Sequence, residues 1–133
     1  MLPLKTYLVE DSAVIRESLT ATLEELVPVI VVGTAEDEAG AVAWLADASN
    51  HADLVIVDVF LKQGSGLGVL RSTQKLHGGR KVVVLSNYAT ADVRRKCLEL
   101  GADRVFDKSH EIDALIEYCG ALAAGDTAPM AVN

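Results

Sequence analysis

The 133-residue sequence predicts an α/β fold, a doubly wound (βα)5 three-layer sandwich, and three observations predict it. Short apolar runs recur at regular intervals, and segments of helical period separate them. Two of the runs, at 54–57 and 82–85, are continuously apolar and mostly β-branched, as strands covered on both faces of a parallel sheet are. Strand and helix alternate five times, the order that packs helices on both faces of a parallel sheet through right-handed crossovers.

The first strand reads from Thr6 to Val9 and is followed by a helix over 13–26, with Ile15, Leu19, Leu23 and Leu26 on one stripe and charge opposite. The second strand reads from Val29 to Val32, and the next helix, over 38–48, places Ala39, Val42 and Ala46 together. Leu54 to Val57 is the third strand; in the helix after it, over 67–77, Leu67, Leu70 and Leu76 only partly share a face. The fourth strand, Lys81 to Leu85, precedes a helix over 91–100 that puts Val93, Cys97 and Leu100 at i, i+4 and i+7, with Gly101 placed to end it in a left-handed conformation. Arg104 to Phe106 is the shortest and most polar run, which predicts an edge strand. The last helix, over 110–123, carries Ile112, Leu115, Ile116, Cys119 and Leu122 behind a Ser109 cap. Residues 1–124 then form one domain, and 125–133, with Pro129 and small side chains, read as a flexible C-terminal tail.

Composition narrows the function classes. A chain of this length buries roughly 65–70% of the surface its unfolded form exposes, enough for a core without staples. With 19 acidic against 12 basic side chains the net charge is −7, and no Lys/Arg cluster offers the footprint that a phosphate backbone or an anionic membrane rewards, so neither nucleic acid nor membrane is expected as a direct partner. Cys97 and Cys119 lack the close spacing of metal or redox pairs and read as buried free thiols. No apolar run approaches the ~18 residues of a membrane span and the start lacks a signal-peptide core, which predicts a soluble cytoplasmic protein. His51, His77 and His110 read as solvated surface, and Trp44 as packing.

Ligands of doubly wound sheets bind at the carboxyl ends of the strands. Here the first strand ends in Val9-Glu10-Asp11, the third in Val57-Asp58, the fourth in Leu85-Ser86, and Lys108 follows the fifth. Adjacent parallel strands lie ~4.8 Å apart, so if the first and third are neighbours, Asp11 and Asp58 come within reach of one small ion. Acids that close repel unless a cation sits between them, and hard oxygen ligands with few protein contacts favour Mg²⁺. With Lys108 the ion would form a trap for a tetrahedral dianion, and Asp58 is the carboxylate best placed to attack phosphorus in line.

This constellation resembles the receiver domain of two-component response regulators, over about Lys5 to Ala123. The motifs that carry the resemblance are Leu8-Val9-Glu10-Asp11-Ser12, Leu54-Val55-Ile56-Val57-Asp58-Val59, Gly64-Ser65-Gly66-Leu67, Val82-Val83-Val84-Leu85-Ser86 and Gly101-Ala102-Asp103-Arg104-Val105-Phe106-Asp107-Lys108. The resemblance implies a flavodoxin-like sheet of order 2-1-3-4-5. It implies that Asp58 accepts a phosphoryl group from a phosphohistidine on a sensor histidine kinase or histidine phosphotransfer protein. Mg²⁺ would be held by Asp11, Asp58 and the main-chain oxygen of Phe60, with Glu10 acting through water. Lys108 would pair with the phosphoryl group and Ser86 would hydrogen-bond it, repositioning the surface of the fourth helix, fifth strand and fifth helix for a downstream effector protein.

Three positions depart from the family's pattern. Val105 stands where an aromatic switch residue is usual, Ser109 where Pro often brings a cis peptide that costs roughly 3 kcal/mol elsewhere, and Asn87 where Ala or Gly is frequent. Phe106 should face away from Val105. Phe60 and Tyr88 flank the expected path of attacking water, and their bulk is expected to slow hydrolysis of the acyl phosphate. The favoured reading is a stand-alone receiver that signals through protein contact; a module of a longer regulator and a phosphorylation-independent scaffold are the alternatives. A homodimer through the fourth-helix face is compatible with the sequence. A haloacid-dehalogenase-type phosphohydrolase would need a second Asp where Phe60 stands, and the Gly64-Ser65-Gly66-Leu67-Gly68 segment misses the dinucleotide-binding pattern and reads as a turn.

Overall fold

The computed structural model describes residues 3–75 and 80–125. Five parallel strands, β1 (Leu4–Val9), β2 (Val29–Ala35), β3 (Leu54–Val57), β4 (Lys81–Ser86) and β5 (Arg104–Asp107), form one sheet of order β2-β1-β3-β4-β5, with β5 at an edge as its polarity predicts. Between and after them lie α1 (Ala13–Leu26), α2 (Glu38–Ala46), α3 (Gly66–Lys75), α4 (Ala91–Glu99) and α5 (Ile112–Ala123). The doubly wound, flavodoxin-like architecture with sheet order 2-1-3-4-5 is therefore the one observed.

The period-two alternation of a strand sorts each side chain to one of two cores. Tyr7, Val9, Val55, Val57, Val82, Val84 and Val105 face α2, α3 and α4. Leu8, Leu54, Ile56, Val83, Leu85 and Phe106 face α1 and α5. Every residue of β3 is buried, which is why its sequence shows no polar partner face. Val105 and Phe106 point to opposite cores, as their adjacency requires.

Several elements run longer than the apolar runs predict. β1 starts at Leu4, β2 continues through Gly33 and Thr34 to Ala35, and β4 and β5 take in Ser86 and Asp107, because ladder bonds to a neighbouring strand hold polar residues extended too.

The helix faces needed three corrections. Leu26, expected in the buried stripe of α1, is 59% exposed, since the helix ends there and only Leu19 and Leu23 are buried. In α2 the expected stripe of Ala39, Val42 and Ala46 is not the buried one: Ala41 and Leu45 are, and Ala39 and Ala46 are exposed. That helix is apolar nearly all round, so its orientation is set by its bulkiest groups, Leu45 inward and Trp44 stacked on Tyr7 with ring centroids 4.0 Å apart. Ser109 does not cap α5, which starts three residues later behind Glu111 with no side-chain cap. The Asp107 carboxylate instead accepts the N–H groups of Ser109 at 2.7 Å and His110 at 3.2 Å, closing a turn before the helix begins.

Gly101 ends α4 at φ +100° as expected, and Cys97 and Cys119 are free and buried. No peptide bond among the described residues is cis, and none of their helices is long and apolar enough to cross a membrane. His51 and His110 are exposed at the surface, each beside an aspartate. Leu76, His77 and the expected tail beyond Gly125 lie outside the described residues.

Candidate functional site

The carboxyl edge of the sheet gathers the predicted acids because the ladders continue one residue past the strands. The N–H of Asp58 donates to the Val9 carbonyl at 2.9 Å, and that of Glu10 donates to Ala35 at 2.9 Å, so both side chains are carried on rigid backbone. Lys108 arrives from the far edge in the same way, its N–H bonded to the Ser86 carbonyl at 2.9 Å. Carboxylate oxygens of Glu10, Asp11 and Asp58 all lie within 4.8 Å of one another. Glu10 and Asp58 are buried, and Asp11 is half-buried.

A single ammonium answers this concentration of negative charge. Lys108 Nζ donates to Asp58 Oδ2 at 2.8 Å and to Glu10 Oε1, with its side chain only 10% exposed. Burial by itself would lower the lysine pKa, but the hydrogen bonds to Asp58 and Glu10 outweigh it and hold the ammonium above its usual range. The two adjacent acids separate in the opposite sense. Burial, as the largest influence, lifts Glu10 above the ordinary glutamate value in spite of Lys108. Burial also opposes ionised Asp11, but hydrogen bonds from Glu10 and from the Lys62 N–H together bring it below the usual range.

Backbone donors supplement the lysine. Glu10 Oε2 accepts the Ser12 N–H at 3.0 Å, Asp58 Oδ1 that of Phe60 at 3.0 Å, and Asp11 Oδ2 that of Lys62 at 2.8 Å. The last two come from the β3–α3 loop, whose end is pressed onto the backbone that follows β3. At Gly66 the N–H donates to Val59 at 2.9 Å, and a Cβ there would lie 2.2 Å from the Asp58 carbonyl oxygen, so only glycine fits.

Above the acids is a cavity of about 170 Å³, lined in part by Phe60 and Tyr88. Both rings are exposed, yet they meet edge-to-face with centroids 5.2 Å apart. Ser86 is placed differently from the other expected residues. It is fully buried below the cavity wall, where its Oγ accepts the Tyr88 N–H at 3.1 Å. Val105 is buried as well, packed in the core shared by α2, α3 and α4.

Arg94 and Glu111 escaped the sequence reading. From α4, the Arg94 guanidinium donates to the Ala89 carbonyl at 3.0 Å, the Val105 carbonyl at 3.1 Å and Glu111 at 2.6 Å, so one side chain ties the β4–α4 turn to β5 and to the start of α5. The partners are 5, 11 and 17 residues from it, and no helical or strand period connects such separations.

Set beside known proteins, the chain matches the family model described as the response regulator receiver domain over residues 6–119. It is 30% identical over 115 residues to protein-glutamate methylesterase/protein-glutamine glutaminase 2 of Koribacter versatilis, covering 85% of this chain and 31% of that one. It is 26% identical over 122 residues to the transcriptional regulatory protein YdfI of Bacillus subtilis, covering 92% and 56%. The chain thus spans between about a third and somewhat over half of these relatives, which carry the matching segment within longer proteins. Among solved structures, the response regulator domain of Thermotoga maritima CheB superposes with a TM-score of 0.78 at 22% identity, covering 91% of this chain and 96% of that one. A response regulator from Burkholderia pseudomallei, solved with a phosphorylated aspartic acid, calcium ion and citrate, superposes with 0.76 at 20% identity, covering 96% and 73%. The family match begins within β1 and ends within α5, so it follows the whole sheet and not one motif, and the chain belongs to the response regulator receiver domain family.

Proposed function

We propose that Asp58 is the phosphoacceptor of this receiver and that its donor is the phosphohistidine of a sensor histidine kinase or histidine phosphotransfer protein. The observation that carries this reading is the buried Asp58 carboxylate, 2.8 Å from the Lys108 ammonium and grouped with two further acids at one end of the sheet. An Asp58 oxygen attacks phosphorus in line, the P–N bond to the histidine breaks, and the imidazole leaves with the electron pair. Lys108, already paired with Asp58 and Glu10, is drawn to the incoming phosphoryl oxygens and neutralises part of the charge they bring.

Three carboxylate oxygens in so small a space fit a hard divalent cation, and Asp11, Asp58 and the Phe60 main-chain oxygen would hold Mg²⁺, with Glu10 acting through water. Bound there, Mg²⁺ supplies electrostatic stabilisation of the transferring phosphoryl group. Ser86 couples the site to the surface. Because its oxygen already accepts the Tyr88 N–H, donating its hydroxyl proton to a phosphoryl oxygen draws the β4–α4 turn along with it. The turn is tied through Arg94 to β5 and α5, so the α4–β5–α5 surface is the output face, read by an effector protein in the cytoplasm. The phosphorylated aspartic acid and the cation named for the Burkholderia pseudomallei structure support the reading.

Intact mass after incubation with acetyl phosphate tests it. A gain of about 80 Da that requires both Mg²⁺ and Asp58, and is absent in Asp58→Asn, is expected. An adduct that persists in Asp58→Asn overturns Asp58 as the acceptor, and no adduct from either acetyl phosphate or a phosphorylated histidine donor overturns the reading and leaves a phosphorylation-independent interaction scaffold.

A further inference from the structure

We infer that Glu38, at the start of α2, is a positioning residue for the cation and acceptor site, an inference that rests on the phosphoacceptor reading above. Glu38 touches neither the acids nor the cavity over them. It grips the far end of the β3–α3 loop, whose near end supplies the Phe60 and Lys62 N–H groups to Asp58 and Asp11. Glu38 Oε1 accepts the Ser65 N–H at 2.8 Å, and the Glu38 N–H donates to the Gln63 carbonyl at 3.2 Å.

Two glycines make room for the grip. Gly64 has φ +80°, and a Cβ there would lie 2.5 Å from Glu38 Cβ; at Gly68 a Cβ would lie 2.2 Å from Glu38 Oε2. The carboxylate therefore lies where side chains at 64 and 68 would be, against the first turn of α3, the positive end of the helix dipole, where negative charge is favoured. From Ser65 the path to the acceptor is one residue long, because Gly66 packs directly on the Asp58 and Val59 backbone.

The two ends of the loop respond differently to a cation. Asp11 and Asp58 must turn oxygens toward it, which competes with the bonds they accept from Lys62 and Phe60. The Glu38–Ser65 bond lies outside the site and meets no such competition. Glu38 thus keeps the loop, and with it the Phe60 carbonyl, in place while the near ties exchange, so that binding does not have to order the loop itself.

Mg²⁺ titration of the full ¹⁵N-labelled chain, followed at the amides of residues 58–62, tests this without requiring phosphorylation. Losing the Ser65 bond in Glu38→Ala is expected to weaken Mg²⁺ about five-fold, equivalent to about 1 kcal/mol. Glu38→Gln, whose amide oxygen can accept the same N–H, should stay within about two-fold of wild type. Gly68→Ala, which displaces the carboxylate while keeping Glu38, should match Glu38→Ala and add nothing on top of it. An unchanged Mg²⁺ dissociation constant in Glu38→Ala or Gly68→Ala, or a Glu38→Gln variant as weak as Glu38→Ala, overturns the inference; if Glu38→Ala does not fold, Gly68→Ala decides. A wild type that binds Mg²⁺ with this pattern yet takes no phosphoryl group keeps the role of Glu38 and removes the phosphoacceptor reading. A wild type that binds no Mg²⁺ removes both.

Discussion

At the carboxyl ends of β1 and β3, three carboxylates lie within 4.8 Å of one another, two of them are bonded to one lysine ammonium, and every acid also accepts a backbone N–H. On the β4 and β5 side, Ser86 at the end of β4 and Val105 within β5 are both buried and neutral, and the tie between turn, strand and helix is made from outside by Arg94. One end stores unfavourable electrostatics that a cation relieves. The other holds its shape through packing and one bridging side chain. A substitution among the acids or at Lys108 should therefore change chemistry and stability together, and one in the Arg94 tie should change stability and leave the chemistry.

The largest effect is expected at Lys108. Lys108→Ala leaves Glu10 and Asp58 buried without their cation, and removing one member of a buried ion pair costs about 3 kcal/mol or more. Saturating Mg²⁺ should recover most of that loss, since a divalent ion answers the same charge. Urea denaturation with and without Mg²⁺ measures both numbers. A loss that Mg²⁺ does not reduce would mean that Lys108 stabilises by packing and that the acids are not the stressed element.

The contrast between the two ends also explains what could be read from the sequence. β3 and β4 were legible because burial on both faces keeps all of β3 and the middle of β4 apolar, and Glu10, Asp11, Asp58 and Lys108 because each is fixed by a strand end. The buried face of α2 was not legible, since a helix apolar nearly all round is oriented by the Trp44–Tyr7 stack, a contact between residues 37 positions apart. The α5 start was misplaced for a related reason: Ser109 has the chemistry of a cap, but Asp107, at the end of β5, takes the N–H groups first. Arg94 and Glu38 act across loops through partners that no local period relates to them. Side chains that follow from backbone direction were readable, and those that reach across a tertiary gap were not.

Arg94 provides the intermediate test. Arg94→Ala removes two bonds to buried-end carbonyls and one half-exposed ion pair, for an expected loss of about 1–2 kcal/mol at neutral pH, most of it from the carbonyl bonds. The sign with pH follows from Glu111, whose carboxyl is held below the usual range first by the Arg94 guanidinium and then by the Asp107 N–H. A depressed folded-state value means that stabilisation is present above the unfolded value, about 4.5, and fades as pH falls through the folded one. The penalty of Arg94→Ala should accordingly shrink in urea titrations below pH ~4 relative to pH 7. Mg²⁺-dependent labelling of Asp58 should stay within about two-fold of wild type, because the carboxylate cluster is untouched. Loss of labelling in this variant would erase the distinction between the two ends.

The smallest effect joins them. Phe60 stands two residues after Asp58 and Tyr88 two after Ser86, and their rings meet at the cavity with centroids 5.2 Å apart, one from each end. Water that hydrolyses an acyl phosphate on Asp58 has to reach phosphorus in line past these rings. Phe60→Asn or Tyr88→Ala should therefore shorten the phospho-Asp58 half-life about five-fold, about 1 kcal/mol of barrier. Since the wall exists only while the rings touch, either truncation opens it and the double variant should gain little more than the faster single one. Decay followed by intact mass after removal of acetyl phosphate gives all four half-lives. Unchanged single-variant decay would show that water reaches the site by another route, whereas fully additive effects would mean that each residue acts on the phosphoryl group separately and that the contact between the two ends has no part in timing the signal.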